Sequence, residues 1–276
     1  MNPTFPFLVS DLDGTLLNSD CQIPFAAKKH ITKYRTNGGR FTIATGRSLA
    51  ECKMYLDQLQ VVDPVILYNG AAIYLPLKKE VITLSSLPPF IIEKLLKAME
   101  NLPIEADILL HSPTSIYIRR MRVSTRYQLE QFPIRYRLFP PRMPLYEPIL
   151  KIQLIGSMKE MEFLKNWSTI HPFAHRVEFV QAADNYFEIL PNNVSKGSAL
   201  HKVLSMINLS AKQVAVIGDH CNDITMFQTA SLAAAVRNAH PLAKKYATHE
   251  VPSNDADGIV TLIQHYLMRP SRSVFR

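Results

Sequence analysis

Cysteine is scarce in this chain: Cys21, Cys52 and Cys221 are the only three in 276 residues, an odd number with no CxxC pair. Neither a disulfide framework nor a cysteine zinc site is indicated, and a reducing, cytoplasmic setting is the expectation. Long apolar runs are missing as well. No stretch reaches the roughly 18 uncharged apolar residues that a membrane span needs. The opening MNPTFPFLVSDLDG has no basic region and meets two acids before an export signal could be completed. No repeat of fixed period and no low-complexity tract is present, which excludes solenoids and collagen-like chains. Helix-turn-helix, zinc-finger and aromatic-basic RNA motifs are absent too, and the basic residues are scattered. The excess of 31 Lys and Arg over 23 Asp and Glu, a net +8, therefore gives no nucleic-acid signature and suits an enzyme that attracts anionic substrates. What remains is an ordinary globular composition, 47% apolar and 20% charged. The length allows one large or two ordinary domains.

The pattern along the chain begins as α/β. Residues 5–10, FPFLVS, form a short apolar run that ends at an acidic stretch, so a buried strand is expected with Asp11 at its tip. Helical periodicity over 24–37 stops at Gly38-Gly39. Strand-like RFTIA follows at 40–44, a helix at 48–59 and a third strand, PVILY, at 64–68. Strands alternating with helices over short connections predict a parallel sheet covered on both faces, with ligands at the carboxyl ends of its strands. After Thr83 the pattern changes. A helix over 88–100, strands near 105–111, 115–121, 149–155 and 176–181, and a helix near 158–170 predict a separate α+β unit. Pro133, Pro140, Pro141, Pro144 and Pro148 suggest irregular connections within it. The α/β rhythm returns with a helix at 196–207, VAVIG at 214–218, a helix at 223–229, a strand at 231–236 and a last helix near 256–267. The expected architecture is one core of residues 1–84 and 188–276, interrupted by an insert of residues 85–187.

Four places carry candidate chemistry. Asp11-Leu12-Asp13-Gly14-Thr15 puts two carboxylates one residue apart on the loop leaving the first strand. One can bind metal and attack while the other moves a proton, although Asp-x-Asp-Gly is also a good turn sequence. Thr45-Gly46-Arg47 follows the second strand and opens a helix, where a hydroxyl and free N–H groups suit a phosphate, or serve as a plain cap beside Ser48. Lys196 opens a helix after Pro191-Asn192-Asn193, where its ammonium could neutralise a phosphoryl oxygen or simply lie in solvent. Gly218-Asp219-His220-Cys221-Asn222-Asp223 brings a second acidic cluster to the same sheet edge. Two such clusters call for a cation, and hard oxygen ligands favour Mg²⁺. His220 and Cys221 are read as neighbours of that site, since a soft metal would want more His or Cys at ligand spacing.

Together these segments resemble the haloacid dehalogenase superfamily of phosphohydrolases. DLDGTLL at 11–17, TIATGRS at 42–48, Lys196 in NVSKG and GDHCND at 218–223 match its four motifs in order. With the insert between the second and third motifs, NGA at 69–71 and the segment Ser253–Gly258, the chain is similar to the Cof-type branch with a type-C2 cap. Two departures are Asn193, where that branch often has Gly, and His220, where a small or polar residue is commoner. The resemblance implies a Rossmann-like parallel-sheet core with an inserted α+β cap. It implies a Mg²⁺-dependent phosphomonoesterase for small phosphorylated metabolites such as sugar or cofactor phosphates, working without nucleic acid or membrane. Asp11 would be the nucleophile that forms an aspartyl-phosphate, and Asp13 the acid and base. Asp11, Asp13 through its backbone carbonyl, and Asp219 would hold the metal. Leu12, Thr45, Gly46, Lys196 and Asn222 would hold the phosphoryl oxygens, with Asp223 behind them. A phosphomutase of the same superfamily and a non-catalytic phosphometabolite-binding regulator are the alternatives. The insert is expected to choose the substrate, and the run Arg119, Arg120, Arg122, Arg126, Arg135, Arg137 and Arg142 is either a site for a second anionic group or a solvated face.

Overall fold

The computed structural model describes residues 3–122, 125–126, 136–139, 147–170, 172–173, 175–183 and 185–268. Pro133, Pro140, Pro141, Pro144, Arg135 and Arg142 lie outside them. The chain divides into two compact units, one of residues 1–47, 53–82 and 195–276, the other of residues 48–52 and 83–194.

The first unit is built on a five-stranded parallel sheet of order β14-β13-β12-β1-β2. Its strands are β1 (Phe7–Ser10), β2 (Arg40–Ile43), β12 (Val214–Gly218), β13 (Leu232–Val236) and β14 (His249–Val251). Every residue of β1, β12 and β13 is buried, which explains why these segments read as unbroken apolar runs without alternation. Helix α1 (Phe25–Thr36) buries Ala27, Ile31 and Tyr34, one stripe at helical spacing. Chain order reverses between β1 and β12, which pair in register from Phe7 with Val214 to Ser10 with Ile217. That is the switch point at which parallel sheets leave a crevice beyond their carboxyl ends.

One expected strand behaves differently. β3 (Val65–Leu67) is joined to the parallel sheet by an isolated parallel bridge, Ala44 with Ile66. It pairs antiparallel with β4 (Ala72–Leu75), and β5 (Glu80–Thr83) completes a three-stranded sheet. The cause is the turn that follows: Tyr68, Asn69 and Gly70 have φ of 52°, 54° and 106°, so three left-handed residues in a row reverse the chain.

The second unit has a six-stranded sheet of order β10-β11-β9-β6-β7-β8, antiparallel apart from the β7–β8 pair. These strands are β6 (Asp107–His111), β7 (Ile116–Arg120), β8 (Tyr136–Leu138), β9 (Lys151–Ile155), β10 (Val177–Ala183) and β11 (Tyr186–Pro191). Helix α3 (Pro89–Glu100) buries Ile91, Ile92, Leu95, Leu96 and Met99, and helix α4 (Met158–Ile170) buries Met161 and Leu164. Those side chains form one apolar core with Ile108, Leu110, Ile152, Leu154, Phe187 and Ile189 of the sheet. β11 belongs wholly to this sheet, so the chain leaves the second unit after Val194. The arginines of β7 and its exit are engaged inside the unit. Arg119 pairs with Glu100, Arg120 donates to the carbonyls of Ile104 and Ala106, and Arg122 donates to the Ile155 carbonyl at 2.6 Å.

Candidate active site

The switch point brings the acidic loops together. The Asp11 N–H, one step past β1, donates to the Ile217 carbonyl of β12 at 2.9 Å. The chain then turns sharply: the N–H groups of Leu16 and Leu17 both donate to the Leu12 carbonyl, and Gly14 takes φ 70°. A Cβ at Gly14 would sit 2.5 Å from Asp219 Oδ2, so glycine is required by backbone shape and by the closeness of the second acidic loop. Thr15 Oγ1 donates to Asp219 Oδ1 at 3.3 Å.

Lys196 is the residue that ties these loops into one site. It opens helix α5 (Lys196–Met206), is fully buried, and its Nζ donates to Asp11 Oδ1 at 2.6 Å and to Asp223 Oδ1 at 2.7 Å. The other Asp223 oxygen accepts from the N–H groups of Asp219 and His220 at 2.9 and 3.1 Å. Both oxygens of Asp223 are thus used in holding Lys196 and the loop. Burial opposes charge on the lysine, but the two carboxylates outweigh it and hold its pKa above the usual value. Asp11 is pushed the opposite way from most paired acids. Burial raises its pKa well above the ordinary carboxylate value, Lys196 lowers it, and Asp223 and Asp219 add to the rise. Asp219 is also raised, by burial and by Asp223.

Asp11, Asp219 and Asp223 each offer a carboxylate oxygen, and these oxygens lie within 4.8 Å of one another. Such a set of hard oxygens with surplus negative charge fits a divalent cation of the Mg²⁺ type. Asp13 is not in this cluster. Its side chain is half exposed and is held by Arg47.

The remaining expected residues surround these groups. Thr45 is buried, takes an N–H bond from Arg47 on its Oγ1 at 3.1 Å, and its carbonyl accepts from the Asn69 N–H at 3.0 Å. Asn222 Nδ2 donates to Asn69 Oδ1 at 2.9 Å, while its Oδ1 is buried with no hydrogen-bond partner among the described residues, leaving capacity toward a bound group. Gly46 packs against the Asn69 amide, where a Cβ would lie 3.1 Å from it. Leu12 is fully buried in the turn. Asp11, Leu12, Thr45, Gly46, Lys196, Asp219, Asn222 and Asp223 thus converge, with Asp13 at the exposed side. The sequence reading missed the bridging part of Asn69, which showed only as part of NGA, and that of Arg47, visible only as the last residue of its tripeptide. It also missed Asn238, whose Nδ2 donates to the Gly14 carbonyl at 2.8 Å and which no local pattern marked.

Known proteins resemble this chain over nearly its whole length. Phosphatase YwpJ of Bacillus subtilis is 24% identical over 279 residues, covering 93% of this chain and 98% of its own. 5-Amino-6-(5-phospho-D-ribitylamino)uracil phosphatase YitU of the same organism is 22% identical over 266 residues, covering 95% and 98%. The crystal structure of TM0651 from Thermotoga maritima superposes with a TM-score of 0.80 at 26% identity, covering 94% of this chain and 96% of that one. Residues 8–263 match the family described as haloacid dehalogenase-like hydrolase, and the chain belongs to that family.

Proposed function

We propose that the protein is a Mg²⁺-dependent phosphomonoester hydrolase acting on small phosphorylated metabolites, sugar phosphates or cofactor phosphates, through an aspartyl-phosphate on Asp11. The observation that carries this reading is the Asp11 carboxylate at the strand switch point, paired to the buried Lys196 and facing Asp219, with Asp13 two residues on. The phosphatase relatives YwpJ and YitU support the reaction class.

In this reading Asp11 attacks phosphorus in line. The bond from its carboxylate oxygen to phosphorus forms as the bond to the leaving oxygen breaks, and protonated Asp13 gives its proton to that oxygen. Asp13 then takes a proton from water, which attacks phosphorus, frees Asp11 and yields inorganic phosphate. Lys196, Thr45, Asn222 and the amides of Leu12 and Gly46 hold the phosphoryl oxygens as charge shifts among them. Asp11, Asp219 and the Asp13 backbone carbonyl would hold Mg²⁺, which supplies positive charge against the repulsion between carboxylate and phosphate. The second unit takes the part of the substrate-selecting cap.

The test is phosphate release from a panel of sugar phosphates, nucleotides and cofactor phosphates, with Mg²⁺ and with EDTA. Metal-dependent release should vanish in a folded Asp11→Asn variant and fall about 10²–10⁴-fold in Asp13→Asn. An active, well-folded Asp11→Asn enzyme removes the nucleophile assignment. Transfer that requires a bisphosphate activator would make the protein a mutase.

A further inference from the structure

Asp13 is held in an arrangement that extends well beyond its loop. Arg47 meets its carboxylate fork to fork, Nε to Oδ2 at 2.8 Å and Nη2 to Oδ1 at 2.5 Å. The Asp13 side chain is 52% exposed, and an ion pair so open to water holds geometry weakly by itself. The guanidinium, however, lies against the ring of Tyr55, its central carbon 5.4 Å from the ring centre. Tyr55 comes from helix α2 (Leu49–Gln58), is buried, and its phenol donates to the Cys21 carbonyl at 2.9 Å. Cys21 is itself fixed, with φ 57° and its N–H on the Asn18 carbonyl. Ser19 in the same turn donates to Asp255 through both its N–H and its hydroxyl.

We propose that Tyr55 is a positioning residue for the Asp13 carboxylate, acting through the Arg47 guanidinium. The inference rests on the reading of Asp13 as acid and base given above. Proton transfer demands a carboxylate held to within about 0.5 Å and 10–20°. The half-exposed Asp13 side chain takes its orientation from the two bonds of the fork. The buried ring gives the guanidinium a fixed apolar neighbour with a negative face, and the fork ties that guanidinium to the carboxylate.

The test is a double-mutant cycle of Tyr55→Leu and Arg47→Gln, with Tyr55→Phe as the variant that keeps the ring. Each of the first two should lower kcat on an alkyl phosphate by roughly tenfold with KM little changed. The loss should be smaller on p-nitrophenyl phosphate, whose leaving group needs no proton. Because Tyr55 acts through Arg47, the double variant should be no slower than Arg47→Gln alone, and Tyr55→Phe should stay within about threefold of wild type. Independently of turnover, the Arg47 Nε–H NMR signal should be protected from exchange in the wild type and lose that protection in Tyr55→Leu and in Asp13→Asn. Losses that multiply in the double variant, equal losses on both esters, or an Arg47 signal indifferent to Tyr55→Leu overturn the proposal. A wild type that releases no phosphate from any ester defeats the phosphatase reading instead, and the NMR signal then still decides whether Tyr55 holds Arg47 on Asp13.

Discussion

A lysine ammonium with no solvent contact survives in a fold only when opposite charge meets it, and Lys196 meets two carboxylates. Its removal leaves those carboxylates buried without their cation. Lys196→Met, measured by urea unfolding in EDTA, should lose about 3 kcal/mol, the low end for a broken buried pair, because Asp11 can take up a proton. A loss below about 1 kcal/mol would mean that the carboxylates are relieved by something else. The sequence suggested a phosphate-facing role for Lys196, but its partners lie 185 and 27 residues away, a distance no local pattern spans. Asn193 has a simple physical explanation: its φ is 60°, a conformation open to Gly and tolerated by Asn, so the departure from the family's glycine leaves the turn intact.

Short elements with well-made ends present the site. Helix α5 begins with a capping box in which Ser195 Oγ accepts from the Ser198 N–H at 3.0 Å and Ser198 Oγ accepts from the Ser195 N–H at 3.1 Å. Gly70 closes against the same point, where a Cβ would collide with the Ser195 carbonyl. Ser195→Ala should therefore cost about 1 kcal/mol in chemical denaturation and lower turnover, since Lys196 is the first residue of the helix being capped. Unchanged turnover would separate the cap from the site. β1, β2, β12 and β13 of the parallel sheet were legible because burial on both faces makes them short apolar runs. β4, β5, β11 and β14 were not: β4 depends on the reversal at 68–70, β14 is only three residues long, and β11 returns along β10 as the second arm of a hairpin.

Among the described residues, a cluster of buried polar side chains outside the proposed site lies in the second unit. Its sheet carries Lys151, Gln153, Glu188 and His111 in the interior, with Lys151 Nζ on Glu188 at 2.7 Å and His111 Nε2 3.2 Å from Gln153 Oε1. Burial, helped by the Lys151 charge and opposed by Glu51 and the Gln153 bond, pulls the His111 pKa down to about 3. The unfolded chain accepts a proton on this histidine below pH about 6.5, while the folded chain refuses it. Its contribution to stability is therefore complete above that pH and is lost as pH falls toward 3, at a little over 1 kcal/mol per pH unit. Urea unfolding from pH 7 to pH 5 should show this as a steeper decline in wild type than in His111→Gln; equal slopes would place the histidine's pKa near its ordinary value.

By itself the sequence determined the α/β class, the interruption by an α+β segment and the four acidic, hydroxyl and lysine motifs, because these are written in runs of adjacent residues whose period and turn chemistry act locally. Only the tertiary structure decided that β3 leaves the parallel sheet, that Asp223 spends both oxygens on Lys196 and its own loop, that the β7 arginines are held within their unit, and that Asp13 is met by Arg47 over Tyr55. Those are contacts between side chains far apart in the chain, and their energies depend on distance and burial, which exist only once the strands have paired.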